Sequence, residues 1–423
     1  MLSLVFLTLL AFADAGLSVG PTLSGLSESG LLIGARGNDE TKLHLRIFDG
    51  EGAEVWAVGR TPAEKHDYCV QWDVSGLKPS TNYDYVIVDP AEPENLLATG
   101  SFMTQSPLGA RVPSSIGFAS CAKEDAGSAA VWDRMRLRGI DALVLLGDTP
   151  YIDTTDLAYQ RKRYRAFAQV PSFAALVRNT PLYSTWDDHD FGANDTDGRL
   201  EGKENSRTAF LEYRPMKFAG HEKEGIYTSF RVGEMEVFLL DTRWFAATEP
   251  SPFDKSKPTL LGARQWQWLQ EQLRKSTATF KIIASGMIFN DAVRPNKTDY
   301  WGNYPYERDA LFELIGELGV QGVLLVGGDI HRHRIVRHDS KSQAGYDLLE
   351  FISSPVHNSI IEAANAPHPG LLLDIGQGHI YLELDACVGT DSGPYITSRF
   401  VAADGKILDE RTIRASELVR QEK

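Results

Sequence analysis

The chain repeats one arrangement six times: a short apolar run, of the kind that forms a buried strand, ends on residues able to offer oxygen, nitrogen or sulfur to a ligand. "SIGFAS" runs into Cys121, "ALVLLG" into Asp148, and "LYSTW" into Asp187, Asp188, His189 and Asp190. "VFLL" precedes Asp241 and Arg243, "GMIF" precedes Asn290 and Asp291, and "VLLVGG" precedes Asp329 and His331. Helical stretches such as "SAAVWDRMRLR", "ARQWQWLQEQLRK" and "RDALFELIGEL" separate the runs. Strands alternating with helices predict a layered α/β or α+β domain, because each apolar sheet face must be covered. In open sheets of this kind ligands collect beyond the carboxyl ends of the strands. Any one of these ends has a plainer reading. An aspartate after a strand is usually a turn or cap residue, and a single cysteine is usually a small buried hydrophobe. Six separate turns would not each need a ligand-type residue, so the joint pattern predicts one functional rim.

A length of 423 residues predicts at least two domains. From residue 16 to 105 no helical period survives, and "KLHLRIFD", "YCVQWDV", "NYDYVIV" and "TGSFMT" read as strands separated by turns, which predicts a small β-sandwich. "GLKPSTNYDYVIV" resembles the signature of fibronectin type III modules. Residues 106–115 read as a linker, and 116–423 as the domain that carries the rim. The first fifteen residues, "MLSLVFLTLLAFADA", form an apolar run closing on Ala13-Asp14-Ala15, an export signal with cleavage expected near Ala15. That run is too short for a resident span, so a soluble secreted or periplasmic protein is expected. Cys69, Cys121 and Cys387 make no C-x-x-C pair, and an odd count leaves at least one thiol free. A formal net charge of −14 argues against sequence-independent binding to nucleic acid. An anionic substrate would need local attraction from metal ions or a few arginines.

The donor set itself limits the chemistry. Asp329 and His331 stand two apart, so on extended chain both point one way. Asp148 and Tyr151 stand three apart just beyond a strand, where a turn can aim both inward. Mixed Asp, His, Tyr and Cys donors suit a hard, highly charged transition metal, while sets rich in Asp and Asn also suit Ca²⁺ or Mg²⁺. Ligands drawn from such distant positions fit a dinuclear site more easily than one structural zinc, and paired metals recur in phosphoryl transfer.

These residues carry a family resemblance. "GDTPY" at 147–151 resembles the G-D-x-x-Y motif of calcineurin-like metallophosphoesterases, "DDHD" at 187–190 sits where they have G-N-H-D/E, and "GDIH" at 328–331 where they have G-H-x-H. More narrowly the chain resembles the PhoD-like alkaline phosphatase/phosphodiesterase branch. The shared features are Ser120-Cys121, "WDDHD" at 186–190, "LDTR" at 240–243, "LLGARQWQWL" at 260–269 and "DYWGNYPYER" at 299–308. The resemblance implies an α+β fold, a metallophosphoesterase αββα sandwich, preceded by the fibronectin type III-like β-sandwich. It implies Cys121, Asp148, Tyr151 and His331 as ligands of a ferric ion. Asp148 would bridge to a second site, shared with Asp188 and Asp329 and occupied by Ca²⁺. A ferric thiolate would also account for the unpaired cysteine. The chain departs from the branch in the loop "GDTPYID", in lacking a twin-arginine signal, and in placing Asn290 where the wider superfamily has a histidine ligand.

The expected reaction is hydrolysis of a phosphate mono- or diester, with water activated by the cations attacking phosphorus in line with the leaving oxygen. His189 is the candidate to protonate the leaving group, oriented by Asp187 or Asp190. Arg207 and Arg243 are candidates to hold phosphoryl oxygens, with Asn194 and Asn290 as further substrate contacts. A phosphodiesterase acting on phospholipid or cell-wall polymer keeps the same fold, and a secreted non-catalytic binding protein is the third reading. The chain has no G-x-x-x-x-G-K-[ST] phosphate loop, no G-x-S-x-G elbow, and no arginine six residues after Cys121 as a cysteine phosphatase would need.

Overall fold

A computed structural model describes residues 16–388, 391, 393–420. The expected export signal lies outside the described residues. Seven strands open the chain: β1 (Leu17–Ser24), β2 (Gly30–Gly37), β3 (Leu43–Asp49), β4 (Glu54–Arg60), β5 (Cys69–Ser75), β6 (Asn82–Asp89) and β7 (Glu92–Met103). They form two antiparallel sheets, ordered β1-β2-β5 and β4-β3-β6-β7. Alternate residues point inward, so Leu31, Ile33, Trp72 and Val74 of one sheet meet Leu45, Ile47, Tyr85 and Ile87 of the other in a separate core.

Thirteen strands follow: β8 (Ser114–Ala119), β9 (Ala142–Leu146), β10 (Leu182–Thr185), β11 (Thr228–Val232), β12 (Met235–Leu239), β13 (Phe280–Ala284), β14 (Val323–Gly327), β15 (His333–His338), β16 (Leu348–Ile352), β17 (Leu371–Ile375), β18 (Ile380–Cys387), β19 (Tyr395–Ala402) and β20 (Ile407–Arg414). One sheet runs β10-β9-β8-β18-β19-β20 and the other β11-β12-β13-β14-β16-β15-β17. Strands β8 to β10 are mutually parallel, as are β12, β13, β14 and β16, and antiparallel strands extend both sheets. Every residue of β9, β13 and β14 is buried, as expected of parallel strands covered on both faces.

The two sheets pack face to face. Phe118, Val144, Leu146 and Leu384 from one and Val237, Ile282, Leu324 and Phe351 from the other share a core. Helices cover the outer faces. The helix Ala126–Arg138 brings Trp132 and Met135 onto Leu143 and Leu145, and the helices Gly262–Lys275 and Pro305–Glu317 bring Trp266, Leu269, Leu311 and Ile315 onto the second sheet. This is the expected α+β layering of two sheets between helices. The helical stretch expected across 157–178 is two helices, Leu157–Ala168 and Pro171–Val177, with Pro171 opening the second.

The sandwich is fastened to this layered body. Tyr85 donates to the carbonyl of Arg178 at 2.7 Å, and Tyr183 accepts from the backbone N–H of Leu26 at 3.2 Å. Asp67 accepts from Arg36 and Arg165, both at 3.0 Å, and from the Tyr213 hydroxyl. Among the described residues no helix is long and apolar enough to cross a membrane.

Candidate metal centre

The ends of the parallel strands in both sheets face one pocket of about 70 Å³, lined by Asp148, Asp188, His189, Asn194, Asp195, Arg294, Lys297, Asp329 and His331. A larger cleft of about 330 Å³ between the sandwich and residues 104–114 holds no comparable set of donors. Backbone geometry marks the same place. Cys121 (φ 53°), Asp148 (φ 53°), Asp329 (φ 67°) and His331 (φ 55°) all adopt the left-handed region, which costs non-glycine residues free energy and clusters at functional sites.

At the end of β8, Cys121 is fully buried and its sulfur lies 3.3 Å from Asp148 Oδ2. Ser354 Oγ donates to that sulfur at 3.2 Å. Tyr151, on the loop after β9, holds its hydroxyl 3.0 Å from His331 Nε2 and 3.0 Å from His357 Nε2. At the end of β10 the short helix Asp188–Phe191 begins. Asp190 Oδ1 accepts from the backbone N–H of Asp187 at 2.7 Å, half of a capping box. Asp188 then points into the pocket, accepting from the backbone N–H of His189 at 2.8 Å and of Asp195 at 2.7 Å.

Three triplets of side chains bring their donor atoms within 4.8 Å of one another: Cys121, Asp148 and His331; Asp148, Asp188 and His189; and Asp188, Asp195 and Asp299. Asp148 belongs to the first two, so it stands where a bridging carboxylate would. Its Oδ1 and His331 Nδ1 are buried and find no hydrogen-bond partner among the described residues. Buried polar atoms without partners are costly, and a cation would satisfy them. The electrostatics agree. Burial, and then the charges of Asp188, Asp187, Asp190 and Asp329, push the Asp148 carboxyl well above the usual range. Burial raises the Cys121 thiol and the Tyr151 phenol as well, with neighbouring negative groups adding to it. Acids crowded into a dry pocket resist ionising until positive charge arrives, and a bound cation reverses that. The residues present therefore fit metal ions, with sulfur, phenol and imidazole on one side and carboxylates on the other.

Protein cations supply part of the compensation. Arg243 is fully buried, its Nε donating to Asp187 at 2.7 Å and its Nη2 lying 2.9 Å from Asp299. Lys297 Nζ lies 2.7 Å from Asp299 and 2.8 Å from Asp329. Burial alone would raise Asp188, but the charges of Arg243, His189 and Lys297 outweigh it and hold its carboxyl below the ordinary value.

A scan against family models matches residues 116–371 to the PhoD-like phosphatases. The chain belongs to the PhoD-like phosphatase family. Alkaline phosphatase D of Bacillus subtilis (strain 168) is 26% identical over 339 residues, which cover 68% of this chain and 56% of that protein. The match thus spans little more than half the length of that curated relative. A solved structure of PhoD superposes with a TM-score of 0.76 at 18% identity, over 96% of this chain and 94% of that one. Purple acid phosphatase PPD1 from yellow lupin (Lupinus luteus) superposes with a TM-score of 0.70 at 13% identity, over 93% of this chain and 74% of that one. At these identities the two structures show the fold alone, one shared with PhoD and with the purple acid phosphatase.

Several expectations for this PhoD-like chain need correction. Asp187 and Asp190 do not orient His189: the first is taken by Arg243, and the second caps the backbone of Asp187. His189 Nδ1 instead pairs with Asp153 Oδ1 at 2.6 Å, from the loop after Tyr151. Arg207 lies outside the pocket, its guanidinium donating to the carbonyls of Gly225, Ala219 and Glu222. Arg243 is fully buried against Asp187 and Asp299 and does not line the pocket. Asn290 is fully buried one layer further back, donating to Glu350 at 2.9 Å and accepting from the N–H of Ala292. Of the four expected substrate contacts, Asn194 alone lines the pocket, where its side chain is exposed.

The strand-end pattern missed Asp153, Arg294, Lys297, Asp299 and His357. "EFISSPVH" carries a legible signal for the last, an apolar strand followed by polar residues and a histidine. Asp153 lies two residues beyond Tyr151 on the loop after β9, and the other three sit in loops with no strand immediately before them.

Proposed function

We propose that this PhoD-like chain hydrolyses phosphate mono- or diesters at two metal ions that share Asp148. The supporting observation is that Asp148 stands in two separate donor triplets at once, with Cys121 and His331 on one side and with Asp188 and His189 on the other, where the carboxylates would hold the ion and His189 would stay outside its ligand set. Ions seated there would supply Lewis-acid polarisation of a phosphoryl oxygen and a lowered pKa for water. The set Cys121, Asp148, Tyr151 and His331 supports a ferric ion, and the carboxylates Asp188 and Asp329 support Ca²⁺.

The chain's own residues do the rest. His189 stands at the pocket with Nδ1 tied to the Asp153 carboxylate, which places the hydrogen on Nδ1 in the neutral ring and leaves Nε2 as the proton-carrying face. Protonated there, it delivers that proton to the leaving oxygen. Asn194 and Arg294 at the pocket lining meet the outer oxygens of the ester. Arg243 and Lys297 keep Asp187, Asp299 and Asp329 compensated, so that the cluster holds its shape before an ion or substrate arrives. The apolar run at residues 1–15 supports export, and the mature chain is expected to begin at Gly16 on N-terminal sequencing.

The test is parallel hydrolysis of p-nitrophenyl phosphate and bis-p-nitrophenyl phosphate by protein whose metal content has been measured. Turnover of either substrate supports the reading, and their ratio separates monoesterase from diesterase. Metal-loaded protein that turns over neither would overturn it.

A further inference from the structure

His357 follows β16 on the segment 353–357, which crosses behind the metal pocket. Its backbone N–H donates to the Cys121 carbonyl at 3.1 Å, tying that segment to the end of β8. The residue is only 1% exposed. Its ring packs edge-on against His331, with centroids 4.8 Å apart and an interplanar angle of 81°. Each ring nitrogen has a defined neighbour. Nδ1 accepts from the backbone N–H of Ser359 at 2.8 Å, and Nε2 lies 3.0 Å from the Tyr151 hydroxyl oxygen.

These two contacts determine the tautomer. A neutral imidazole carries one N–H, and a nitrogen that accepts a hydrogen bond is not the one carrying it. Ser359 occupies the Nδ1 lone pair, so the hydrogen sits on Nε2 and points at Tyr151. A nitrogen that bears hydrogen has no lone pair for a metal, which separates His357 from the neighbouring His331. Donation to the phenol oxygen also favours that oxygen as an acceptor and fixes its direction toward Cys121, Asp148 and His331.

We propose that His357 is a positioning residue that donates its Nε2 hydrogen to the Tyr151 oxygen, holding that oxygen as a metal ligand without binding the metal itself. This rests on the metal-centre reading above. In the protein loaded with ferric ion, His357→Phe removes the donor and keeps a ring. It is expected to move the visible tyrosinate-to-iron band to longer wavelength and to weaken ferric retention against a chelator by roughly 10- to 100-fold. His357→Gln, whose amide N–H can reach the same oxygen, is expected to restore both. Circular dichroism reports whether each variant folds. If the phenylalanine variant does not fold, the glutamine variant and the wild-type spectrum below decide.

Long-range ¹H–¹⁵N NMR on the metal-free wild type is expected to find the His357 hydrogen on Nε2, and to find it still there after loading with Ga³⁺, a diamagnetic stand-in for the ferric ion. A hydrogen on Nδ1, loss of the Nε2 hydrogen on loading, or a phenylalanine variant with unchanged band and retention would each overturn the proposal. A wild type that shows no tyrosinate band overturns the ferric centre instead, and the NMR result still decides the hydrogen bond.

Discussion

Asp148 links the sulfur-bearing triplet, with Cys121 and His331, to the one it shares with Asp188 and His189. Asp148→Asn keeps the shape and removes the charge. Metal content and hydrolysis are both expected to fall to background, which elemental analysis and the p-nitrophenyl assays would show together. Survival of both would place the site elsewhere. The Asp153–His189 pair makes a finer prediction. His189→Ala is expected to lower kcat by about 10² to 10⁴, the usual worth of a positioned proton donor. Asp153→Asn should lower kcat less and leave metal content unchanged, since Asp153 meets the ring and belongs to none of the three donor triplets. The sequence shows His189 as a candidate because it sits in a crowd of aspartates. It does not show which of them holds the ring, because the partner comes from a loop 36 residues earlier.

Among the elements, the strand ends carry the chemistry and glycines make room for it. At the end of β9, Gly147 has φ +92°, and a Cβ there would come within 2.4 Å of Asp187 Cβ and of its backbone nitrogen. Gly147→Ala is therefore expected to push the ends of β9 and β10 apart. It should cost about 1–3 kcal/mol in backbone strain alone and reduce metal binding, read by denaturant unfolding and metal analysis. Behind the same strand ends, Arg243→Met would leave Asp187 without its buried counter-charge and Asp299 with Lys297 alone. A loss of about 3–5 kcal/mol is expected in the metal-free protein, and urea unfolding measures it directly. Strands such as "ALVLLG" and "VLLVGG" were legible as buried because they read apolar without alternation. Arg207 lies on the helix Lys203–Tyr213 and turns to a neighbouring loop, whereas Arg243 and Asn290 were misplaced for a common reason. Proximity to a strand end in sequence says nothing about whether a side chain faces the pocket or the layer behind it.

Across the whole molecule, two clusters of buried charge set the response to pH and to metal removal. Burial raises the Asp190 carboxyl to about 7, and Asp148 moves in the same direction. A raised acid favours the folded state while protonated. Without metal, the contribution of these two groups is therefore expected to be full below about pH 4, where the unfolded chain also holds these protons, and to fall as pH rises toward 7. Added metal ions should flatten that slope, and a chelator should restore it, in thermal melts across the range. Asp67 acts with the opposite sign where the sandwich meets the layered body. Burial opposes its charge, but Arg36, Tyr213 and Arg165 outweigh it and hold its carboxyl below the usual range. Its contribution is present above the ordinary carboxylate pKa and is lost as pH drops below it. Asp67→Ala would leave two arginines unpaired at that junction, and a lower melting temperature is expected with unchanged metal content.

The local pattern by itself determined the layered fold, the sandwich ahead of it and the six strand ends, because period and apolarity are properties of neighbouring residues. It also named most of the pocket's donors, since Cys121, Asp148, Tyr151, Asp188, His189, Asp329 and His331 all lie at or just past a strand. Tertiary structure alone decided which charges compensate which. Lys297 reaches Asp329 across 32 residues of chain, and His357 reaches Tyr151 across 206. Such pairs depend on how two sheets and their loops close on one another, and no spacing along the chain encodes that distance.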